Sequence, residues 1–572
     1  MKENHVEGEH ARHYEGSSSK PSNSATSPSR RKFLGSVGGA TAVGLAAGVV
    51  GLPPLLGARS AEVAAAEVGP LNAQQRRNRA YQIRHQAAIF QKNLPLPAHP
   101  TNGDEELYPN QIGSYSKALP HYPLGEVDLN AYNALVQAMA TGRPADFEAI
   151  PLGGVVKLGN PQAALTFDLE GADSHHLAII APPAFSSAWE AGEMAEVYWQ
   201  ALTRDVHFSD YDTDALIAQA AADLSGYSDF RGPKIAGAVT PATLFRGSTP
   251  GELTGPYISQ FLYKDVPYGA MTIVQRYRVP VAGDDFMTAY DEWLNVQNGA
   301  APSGAITFDA TPRYIRNGRD LSQYLHRDFS YQAFLNAALI LLSFGGAALD
   351  DANPYKTSAT QGGFATFGGP HVLDLVARAA NAALRAAWCQ KWSVHRRLRP
   401  EEFAGRVHNH LTGAASYPIH SDLLPPNSTV TDEVLARRGT YLLPMAYPEG
   451  CPTHPAYPAG HATIAGACTT ILKAFFKESF VVPGPVVASA DGLSLEPFVG
   501  PALTVGGELN KLASNISLGR DTAGVHWRTD GTEGMRLGEA VAISILQDFR
   551  ATYTENFGGF SLTTFDGATV TI

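Results

Sequence analysis

A basic segment near the middle of the chain places a lysine and an arginine eight residues apart. It reads KWSVHRRLRP from Lys391 to Pro400 and follows a predicted helix whose core-facing stripe continues to Lys391. A lysine at the end of such a stripe must find an anion or reach solvent, and Pro400 should break the helix just after Arg399. The segment therefore offers two cations to an anion, although a basic helix end that complements the helix dipole explains the same residues.

A second segment joins two histidines to a glycine at a predicted helix start. It reads HPAYPAGH from His454 to His461 and precedes an apolar helical run. Gly460 permits close backbone approach, and the free N–H groups and positive dipole end of a helix start can bind an anion. His461 lies in the first turn, where an imidazole can act as acid and base near neutral pH. A capping loop with surface histidines is the alternative interpretation.

A third segment adds an arginine, a histidine and a carboxylate. It reads GRDTAGVHWRTD from Gly519 to Asp530. The planar guanidinium of Arg520 suits a tetrahedral oxyanion. One helical turn would bring Asp530 to His526, where a carboxylate orients an imidazole and raises its basicity. An ordinary charged helix start is the alternative.

The three segments together predict a single oxyanion site. They supply three cations, Lys391, Arg399 and Arg520, and a helix start that begins with glycine. They also supply two histidines, His461 and His526, whose positions favour burial. This set suits a tetrahedral oxyanion that is held by cations and approached by an imidazole nitrogen, acting either as a ligand or as a nucleophile.

Most long periodic stretches of the chain predict helices, with Pro- and Gly-rich loops between them. Apolar residues recur at helical spacing in five stretches, namely Ala188–Leu202, Tyr331–Leu349, Val372–Trp392, His461–Phe476 and Glu533–Phe549. Short extended pieces are expected near Tyr268–Val279 and at Phe560–Ile572. The predicted class is therefore mainly α, with helix-bundle packing and a few short strands.

Composition narrows the function classes. The chain has 572 residues, 44% of them hydrophobic, and a net charge of −11. That content supports a substantial core, and the acidic balance argues against nucleic-acid binding. The three cysteines form no Cys-x-x-Cys pair, which argues against a zinc site, and we expect them to be small buried apolar side chains.

The N-terminus has the order of an export signal. Residues 1–28 are polar, the stretch Ser29–Leu34 reads SRRKFL, a weakly apolar run extends from Gly35 to about Leu56, and small residues fill Ala58–Ala66. This order matches a twin-arginine signal peptide, and a membrane anchor is the alternative. We expect export to the periplasm or the outside of the cell, with no stable membrane anchor after cleavage.

The order of the three motifs resembles that of the vanadium haloperoxidases, whose superfamily includes acid phosphatases and type 2 phosphatidic acid phosphatases. The motifs are Lys-x7-Arg-Pro, Pro-x-Gly-His and Arg-x5-His. The step from Lys391 to Arg399, and His454 seven residues before His461, are similar to the algal bromoperoxidase branch. Stretches such as AEVYWQAL from Ala195 and others within residues 70–555 are also similar to it.

The resemblance implies a helical bundle of the vanadium haloperoxidase and acid phosphatase type. It divides the chain into a disordered tail with the signal (1–66), an N-terminal helical part (67–330), a C-terminal bundle with the vanadate site (331–555) and an extended tail (556–572). The family often forms homodimers or larger assemblies, so a homo-oligomer is expected.

The resemblance also implies a vanadate cofactor. His526 would bind vanadium directly through an imidazole nitrogen, while the cations and the Gly460 N–H would hold the vanadate oxygens. The residues implied to bind the cofactor are Lys391, Arg399, Gly460, His461, Arg520 and His526.

Catalytic roles follow from the same resemblance. His461 would be the acid–base residue that helps hydrogen peroxide to load, and Lys391 would also polarise the peroxide. His454 would tune halide choice or proton flow, and Trp388 matches a tryptophan in the pocket wall of several relatives.

One residue departs from the family pattern. Relatives usually read Pro-Ser-Gly-His, whereas this chain has Ala459 in place of the serine. The serine hydroxyl donates a hydrogen bond to vanadate, so its loss should cost roughly 1–3 kcal/mol of oxyanion binding. We therefore expect weaker vanadate affinity or an altered halide preference.

The implied activity is oxidation of a halide by hydrogen peroxide to hypohalous acid, which then halogenates an organic acceptor. Bromide and iodide are favoured over chloride because they are easier to oxidise. An exported acid phosphatase is the alternative, with His526 as nucleophile and His461 as acid in the same pocket. The long N-terminal half and the algal-type stretches argue against it. A third hypothesis is a non-catalytic exported protein that keeps only the fold.

Overall fold

Helices dominate the part of the chain that the computed structural model describes, residues 70–572. Several lie where hydrophobic periodicity predicts them, and the mainly α fold class is confirmed. The α-helices, numbered α1 to α15 in chain order, are Ala73–Asn93, Asp104–Leu107, Leu129–Thr141, Pro144–Glu148, Ala188–Thr203, Ala215–Gly226, Tyr290–Gln297, Gly318–Arg327, Gln332–Ser343, Gly369–Trp388, Pro400–Leu411, Val430–Arg438, Gly460–Phe475, Val505–Thr522 and Arg528–Arg550.

The described strands are short and form three separate antiparallel pairs. In chain order, β1 to β6 are Val266–Tyr268, Met271–Ile273, Val486–Ala488, Leu495–Pro497, Ser561–Thr563 and Thr569–Thr571. In the first pair Val266 lies opposite Ile273, and in the third Ser561 lies opposite Thr571. The first and third pairs fall at the two places where extended segments are expected, and the pair β3–β4 was not predicted.

The C-terminal helices pack around α13, which contacts α10, α14 and α15. Nearly all of α13 is buried, with Ile464, Ala467 and Ile471 in the main core. A side chain at Gly538 of α15 would place its Cβ 1.9 Å from the Thr463 carbonyl oxygen. Glycine is therefore needed where α13 and α15 cross, and this close packing fixes the N-termini of both helices.

Two predicted helices end earlier than periodicity suggests. The stretch expected to be helical from Tyr331 gives α9, which ends at Ser343 because Gly345 adopts φ +76°. The helix expected to run to Trp392 ends as α10 at Trp388 and continues as a π-helical turn over Cys389–His395, closed by Arg396 at φ +40°.

Pro400 acts differently from the prediction. The preceding helix has already ended, and Pro400 is the first residue of α11. Proline is well suited to that position because its missing N–H would have no partner in the first turn. The correction moves Arg399 from a helix end to the N-cap of a new helix.

A second buried cluster joins the N-terminal half to α11 and α12. Its members include Met194, Trp199, Leu224, Phe403 and Val434. Within this cluster α5 is buried on almost every side, so its polar residues must find partners inside the protein.

Other predictions concern the cysteines, membrane-spanning helices and the division of the chain into parts. All three cysteines are buried and unpaired, as expected. Within residues 70–572, no helix has both the length and the apolar character needed to cross a bilayer. The tail and signal predicted for 1–66 lie outside the described residues, and the division into 67–330, 331–555 and 556–572 stays a prediction.

Candidate oxyanion site

The structure brings the three chemistry-bearing segments together at one buried place. Lys391 lies in the π-helical turn after α10, and Arg399 is the N-cap of α11. Gly460 begins α13, Arg520 lies in the last turn of α14, and His526 precedes α15. Helix starts and ends therefore present these groups, as the motifs predict.

Arg399 joins the second and third segments. Its Nη1 atom lies 3.0 Å from His526 Nε2, and its Nη2 atom lies 2.9 Å from His454 Nδ1. Nη1 also donates to the Val525 carbonyl at 2.6 Å, and Nε donates to the His454 carbonyl at 2.9 Å. The guanidinium is fully buried and held in one orientation.

Lys391 is also fully buried. Its Nζ atom donates to the carbonyl oxygens of Pro455 and Ala456 at 2.6 and 2.7 Å. Burial, reinforced by the positive charge of Arg399, lowers the pKa of Lys391 well below its usual range. An anion beside Nζ would favour the ammonium form.

Arg520 completes the set of cations. Its Nη1 atom donates to the Leu325 carbonyl at 2.8 Å, and its guanidinium carbon lies 5.6 Å from the centre of the Tyr447 ring. Its Nε atom is buried without a hydrogen-bond partner among the described residues. An orphaned donor of this kind is costly unless a ligand fills the position.

None of Lys391, Arg399 and Arg520 forms an ion pair with a carboxylate in the part of the chain that the structure describes. Burying a charge without a counter-charge costs several kcal/mol. The arrangement therefore fits an anion, and its planar guanidinium groups fit the oxygens of a tetrahedral oxyanion.

His526 is held by a buried carboxylate. Its Nδ1 atom lies 2.7 Å from Asp530 Oδ2, as the four-residue spacing predicts. Nδ1 therefore carries the proton and donates to Asp530, while Nε2 accepts from Arg399 and turns its lone pair toward the cations. Burial and the cations Arg399 and Lys391 lower the pKa of His526 well below its usual range, which is consistent with a neutral imidazole.

Behind Asp530 lies a network of charged residues that the sequence analysis did not predict. Arg397 donates to Asp530 at 2.9 Å, to Glu190 at 2.5 Å and to Glu193 at 2.9 Å. Arg528 pairs with Glu196 at 2.5 Å on the same side. The network holds Asp530 and, through it, the imidazole of His526.

Burial favours the protonated form of one carboxyl in this network, that of Glu190. One oxygen of Glu190 has no hydrogen-bond partner among the described residues, whereas Glu193 also accepts from the Thr529 N–H at 2.8 Å. Burial raises the pKa of Glu190 to about 8 despite the opposing effect of Arg397. One guanidinium faces three carboxyl groups, so one of them stays neutral.

His461 lies at the edge of the site. Its side chain is 27% exposed, and its Nε2 atom lies 3.1 Å from Asp328 Oδ1. Asp328 follows α8 and was not predicted as a site residue. An imidazole that is both exposed and bonded to a carboxylate can exchange protons with solvent.

His454 and Trp388 form a further side of the oxyanion site. Their rings lie 4.7 Å apart, and the Trp388 indole N–H donates to the Gly159 carbonyl at 3.0 Å. Burial and the charges of Arg399 and Lys391 hold the pKa of His454 well below its usual range. His454 is therefore a neutral hydrogen-bond partner of Arg399.

The turn at Ala459 and Gly460 has the geometry of an anion-binding helix start. Ala459 is the N-cap of α13, makes no side-chain cap bond, and donates its N–H to the Asp530 carbonyl at 2.9 Å. A Cβ on Gly460 would lie 3.4 Å from Leu384 and from Trp388. The first N–H groups of a helix lack intrahelical partners and can bind an anion.

The residues that sequence reasoning missed are Glu190, Glu193, Arg397 and Asp328. A signal existed for two of them, because Glu190, Glu193 and Glu196 recur every three residues on an otherwise apolar helix. For Asp328 the local sequence carried no such signal. Within residues 70–572, no group of three or more His, Cys, Asp and Glu residues is placed to hold a metal ion.

Comparisons with known proteins agree with this geometry. A family profile described as the VCPO second helical-bundle domain matches residues 371–555. A vanadium-dependent bromoperoxidase of Ascophyllum nodosum is 36% identical in an alignment that covers 82% of this chain and 89% of that protein. Another, of Corallina pilulifera, is 35% identical over 88% of this chain and 99% of that one.

A solved structure is similar over almost the whole length. The homohexameric second vanadate-dependent bromoperoxidase of Ascophyllum nodosum superposes with a TM-score of 0.83 at 31% identity, covering 95% of each chain. The matched region includes the helices that carry the oxyanion site. The chain therefore belongs to the vanadium-dependent haloperoxidase family, in the branch of the algal bromoperoxidases.

Proposed function

We propose that this protein is a vanadate-dependent haloperoxidase that uses hydrogen peroxide to oxidise a halide, with bromide or iodide favoured, to hypohalous acid. One observation carries the proposal. Three buried basic side chains without carboxylate partners, Lys391, Arg399 and Arg520, lie close enough to influence a neutral histidine whose Nε2 atom accepts from Arg399. That combination fits an oxyanion whose central atom also accepts a nitrogen ligand.

The residues present fit vanadate. His526 Nε2 would bind the metal, and Lys391, Arg399, Arg520 and the Gly460 N–H would hold its oxygens. The orphaned Nε of Arg520 supports this assignment, because an oxygen would satisfy it. When bound, vanadate would act as a Lewis acid that activates hydrogen peroxide, while the vanadium keeps its oxidation state.

The chain's own residues would orient the reactants and move protons. Asp530 fixes the His526 tautomer, so that the Nε2 lone pair is on the side of the cations. Lys391, buried and aimed by two carbonyl oxygens, would polarise the peroxide. His461, whose Nε2 atom donates to Asp328, would be the acid–base group that takes up a proton from incoming peroxide. His454 would tune halide choice through its bond to Arg399.

A halide assay tests the proposal. Purified protein is stripped of oxyanions and assayed with peroxide and bromide, iodide or chloride, with and without added vanadate. We expect vanadate-dependent oxidation of bromide and iodide, and loss of this activity in His526→Ala. Hydrolysis of a phosphate ester that is faster than peroxide-dependent halide oxidation would instead identify a phosphatase, and the absence of vanadate and phosphate binding would identify a protein that keeps only the fold.

We also propose export by the twin-arginine pathway to the periplasm or the cell exterior. The support is the order of Arg30–Arg31, a weakly apolar run and small residues, all of which lies outside the described residues. Fractionation of cells that express the full chain tests it. The Arg30→Lys, Arg31→Lys variant should stay inside the cell as the uncleaved precursor, and normal export of that variant would contradict the proposal.

A homo-oligomer is the proposed assembly. The similar Ascophyllum structure is homohexameric, and large apolar side chains are exposed on this chain, including Leu169 at 98% and Phe167 at 79%. Apolar side chains so exposed favour contact with another copy. Light scattering should give a mass that is a multiple of one chain, and a monomer at micromolar concentration would contradict the proposal.

A further inference from the structure

A cavity of about 310 Å³ adjoins the acid–base pair of the site, because Asp328 forms part of its wall. The same carboxylate contacts His461 at 3.1 Å. A molecule bound in the cavity would therefore lie beside the pair formed by Asp328 and His461.

Aromatic rings form one part of the cavity wall. Tyr277 and Tyr324 meet edge to face with their centres 4.9 Å apart, and Phe308 contributes a third ring. Aromatic walls of this kind favour a flat, unsaturated ligand.

Two arginines add positive charge to the same wall. Arg278 lies with its guanidinium carbon 3.8 Å from the centre of the Phe308 ring. Arg327, the last residue of α8, also lines the cavity. Neither arginine forms an ion pair with another residue in the range 70–572. Two guanidinium groups without counter-charges suit a carboxylate or another organic anion.

Two buried polar atoms in the wall have no hydrogen-bond partner among the described residues. They are Oε1 of Gln323 and the hydroxyl of Tyr324, and the two residues are only 5% and 4% exposed. Buried polar atoms are normally satisfied. A ligand that carries a hydroxyl group would supply the missing partner.

We propose that this cavity binds the organic acceptor, and that the acceptor is a planar aromatic anion with a ring hydroxyl, such as a phenol that carries a carboxylate. The carboxylate would lie against Arg278 and Arg327, away from the negative Asp328, and the ring would lie among Tyr277 and Tyr324. This inference rests on the proposed haloperoxidase function and names the class of its second substrate.

The reaction expected at this position is electrophilic aromatic substitution. Hypohalous acid transfers its halogen to a ring carbon, forming a carbon–halogen bond as the oxygen–halogen bond breaks. The ring carbon loses its proton, which combines with the departing hydroxide to give water. Held beside Asp328 and His461, the phenol ring would meet hypohalous acid before it escapes into solution.

Binding without turnover tests the inference most sharply. The full-length protein is saturated with vanadate, so that the oxyanion site is filled, and is titrated with 4-hydroxybenzoate or its neutral amide in the absence of peroxide. We expect the carboxylate to bind at least tenfold more tightly than the amide. Arg278→Gln and Arg327→Gln should each weaken carboxylate binding about fivefold and leave amide binding within twofold.

Arg276→Gln is the matched control. Arg276 is exposed, lies two residues from Arg278 and does not line the cavity, so this variant loses the same charge and should bind both probes as the wild type does. Equal affinity of the wild type for the two probes, or an equal effect of Arg276→Gln and Arg278→Gln, would overturn the inference.

Turnover separates this inference from the proposed function. With bromide and peroxide, the wild type should show a lower KM for the carboxylate than for the amide, and Arg327→Gln should remove the difference. Bromide oxidation without any preference between the two acceptors would overturn the inference and leave the haloperoxidase function standing. Selective binding of the carboxylate without halide oxidation would support the cavity as an aromatic-anion site and contradict the haloperoxidase function.

Discussion

Arg397 and Arg399 are two residues apart, fully buried and surrounded by opposite kinds of partner. Arg397 contacts three carboxyl groups, those of Glu190, Glu193 and Asp530. The guanidinium of Arg399 contacts no carboxylate and instead meets His526, His454 and carbonyl oxygens. One short segment therefore supplies both a compensated and an uncompensated cation.

The difference in partners gives the two arginines different roles, since Arg397 supports the site and Arg399 is available to a ligand. On the Arg397 side, charges are neutralised within the protein, so the network can hold Asp530 without a ligand. On the Arg399 side, positive charge is left for a ligand to neutralise. The two sides meet at the bond between Asp530 and His526, through which the support network orients the ligand-binding imidazole.

The largest expected effect comes from exchanging each arginine for an apolar side chain. Arg397→Met leaves buried carboxylates without a cation, so we expect the free energy of unfolding to fall by about 3–5 kcal/mol. Arg399→Met removes a cation that has no counter-charge, so we expect a loss of only about 1 kcal/mol. Denaturant unfolding without vanadate measures both.

In vanadate affinity the order of these two variants should be reversed, with the larger loss in Arg399→Met. Arg399→Met should weaken vanadate binding about 100-fold, because a charge-assisted hydrogen bond is lost. Equal losses of stability in the two variants would show that the comparison between the two sides is wrong.

A pH series on Glu190 sharpens the comparison on the network side. Because burial raises the pKa of Glu190 from 4.5 to about 8, the folded protein holds a proton there that the unfolded chain releases above pH 4.5. This stabilisation is complete below about pH 4.5 and is lost as the pH rises toward 8. The slope contributed by this one group is at most about 1.4 kcal/mol per pH unit.

Glu190→Gln keeps the side chain neutral at every pH. We therefore expect the wild type to lose stability relative to this variant between pH 5 and pH 7, as measured by denaturant unfolding at each pH. Parallel stability curves for the two proteins would show that Glu190 is ionised when folded.

Asp530→Asn tests the junction between the two sides. The amide keeps the size of the carboxylate and loses the charge that holds both His526 and Arg397. Loss of such a supporting carboxylate weakens metal binding about 10- to 100-fold, and we expect that loss in vanadate affinity. An affinity within twofold of the wild type would mean that His526 needs no carboxylate.

The smallest expected effect concerns Ala459. Serine at this N-cap should restore a donor toward the oxyanion and tighten vanadate binding about tenfold, corresponding to about 1.4 kcal/mol. The hydroxyl can also cap α13, which would add about 1 kcal/mol of stability without any ligand. Vanadate titration and unfolding of Ala459→Ser distinguish the two, and a gain in stability alone would contradict the binding effect.

Contacts between residues close together in the chain could be predicted from the sequence, and contacts between residues far apart in the chain could not. The four-residue step from His526 to Asp530 and the glycine before His461 are encoded by neighbours in the chain, so their geometry follows from local structure. Arg397 meets Glu190 across 207 residues, and His461 meets Asp328 across 133. Contacts at such separations depend on tertiary packing, which periodicity does not reveal.

The fold shows the same limit. The helix α14 was missed although every residue in it is buried. It carries Glu508, Lys511 and Asn515, which find partners inside the protein, and Glu508 pairs with Lys511 at 2.6 Å. Apolar residues do recur at helical spacing in α14, at Val505, Leu509, Leu512 and Ile516. Because its other faces carry buried polar residues, the contrast between an apolar and a polar face that identifies α13 and α15 is weaker in α14.

Calorimetric titration of the stripped, full-length protein with vanadate, repeated with phosphate as competitor, tests most directly whether the cations and His526 hold a single oxyanion. We expect one saturable vanadate site per chain, competitive displacement by phosphate, and loss of binding in His526→Ala and in Lys391→Met. Vanadate binding that persists unchanged in both variants would contradict the account.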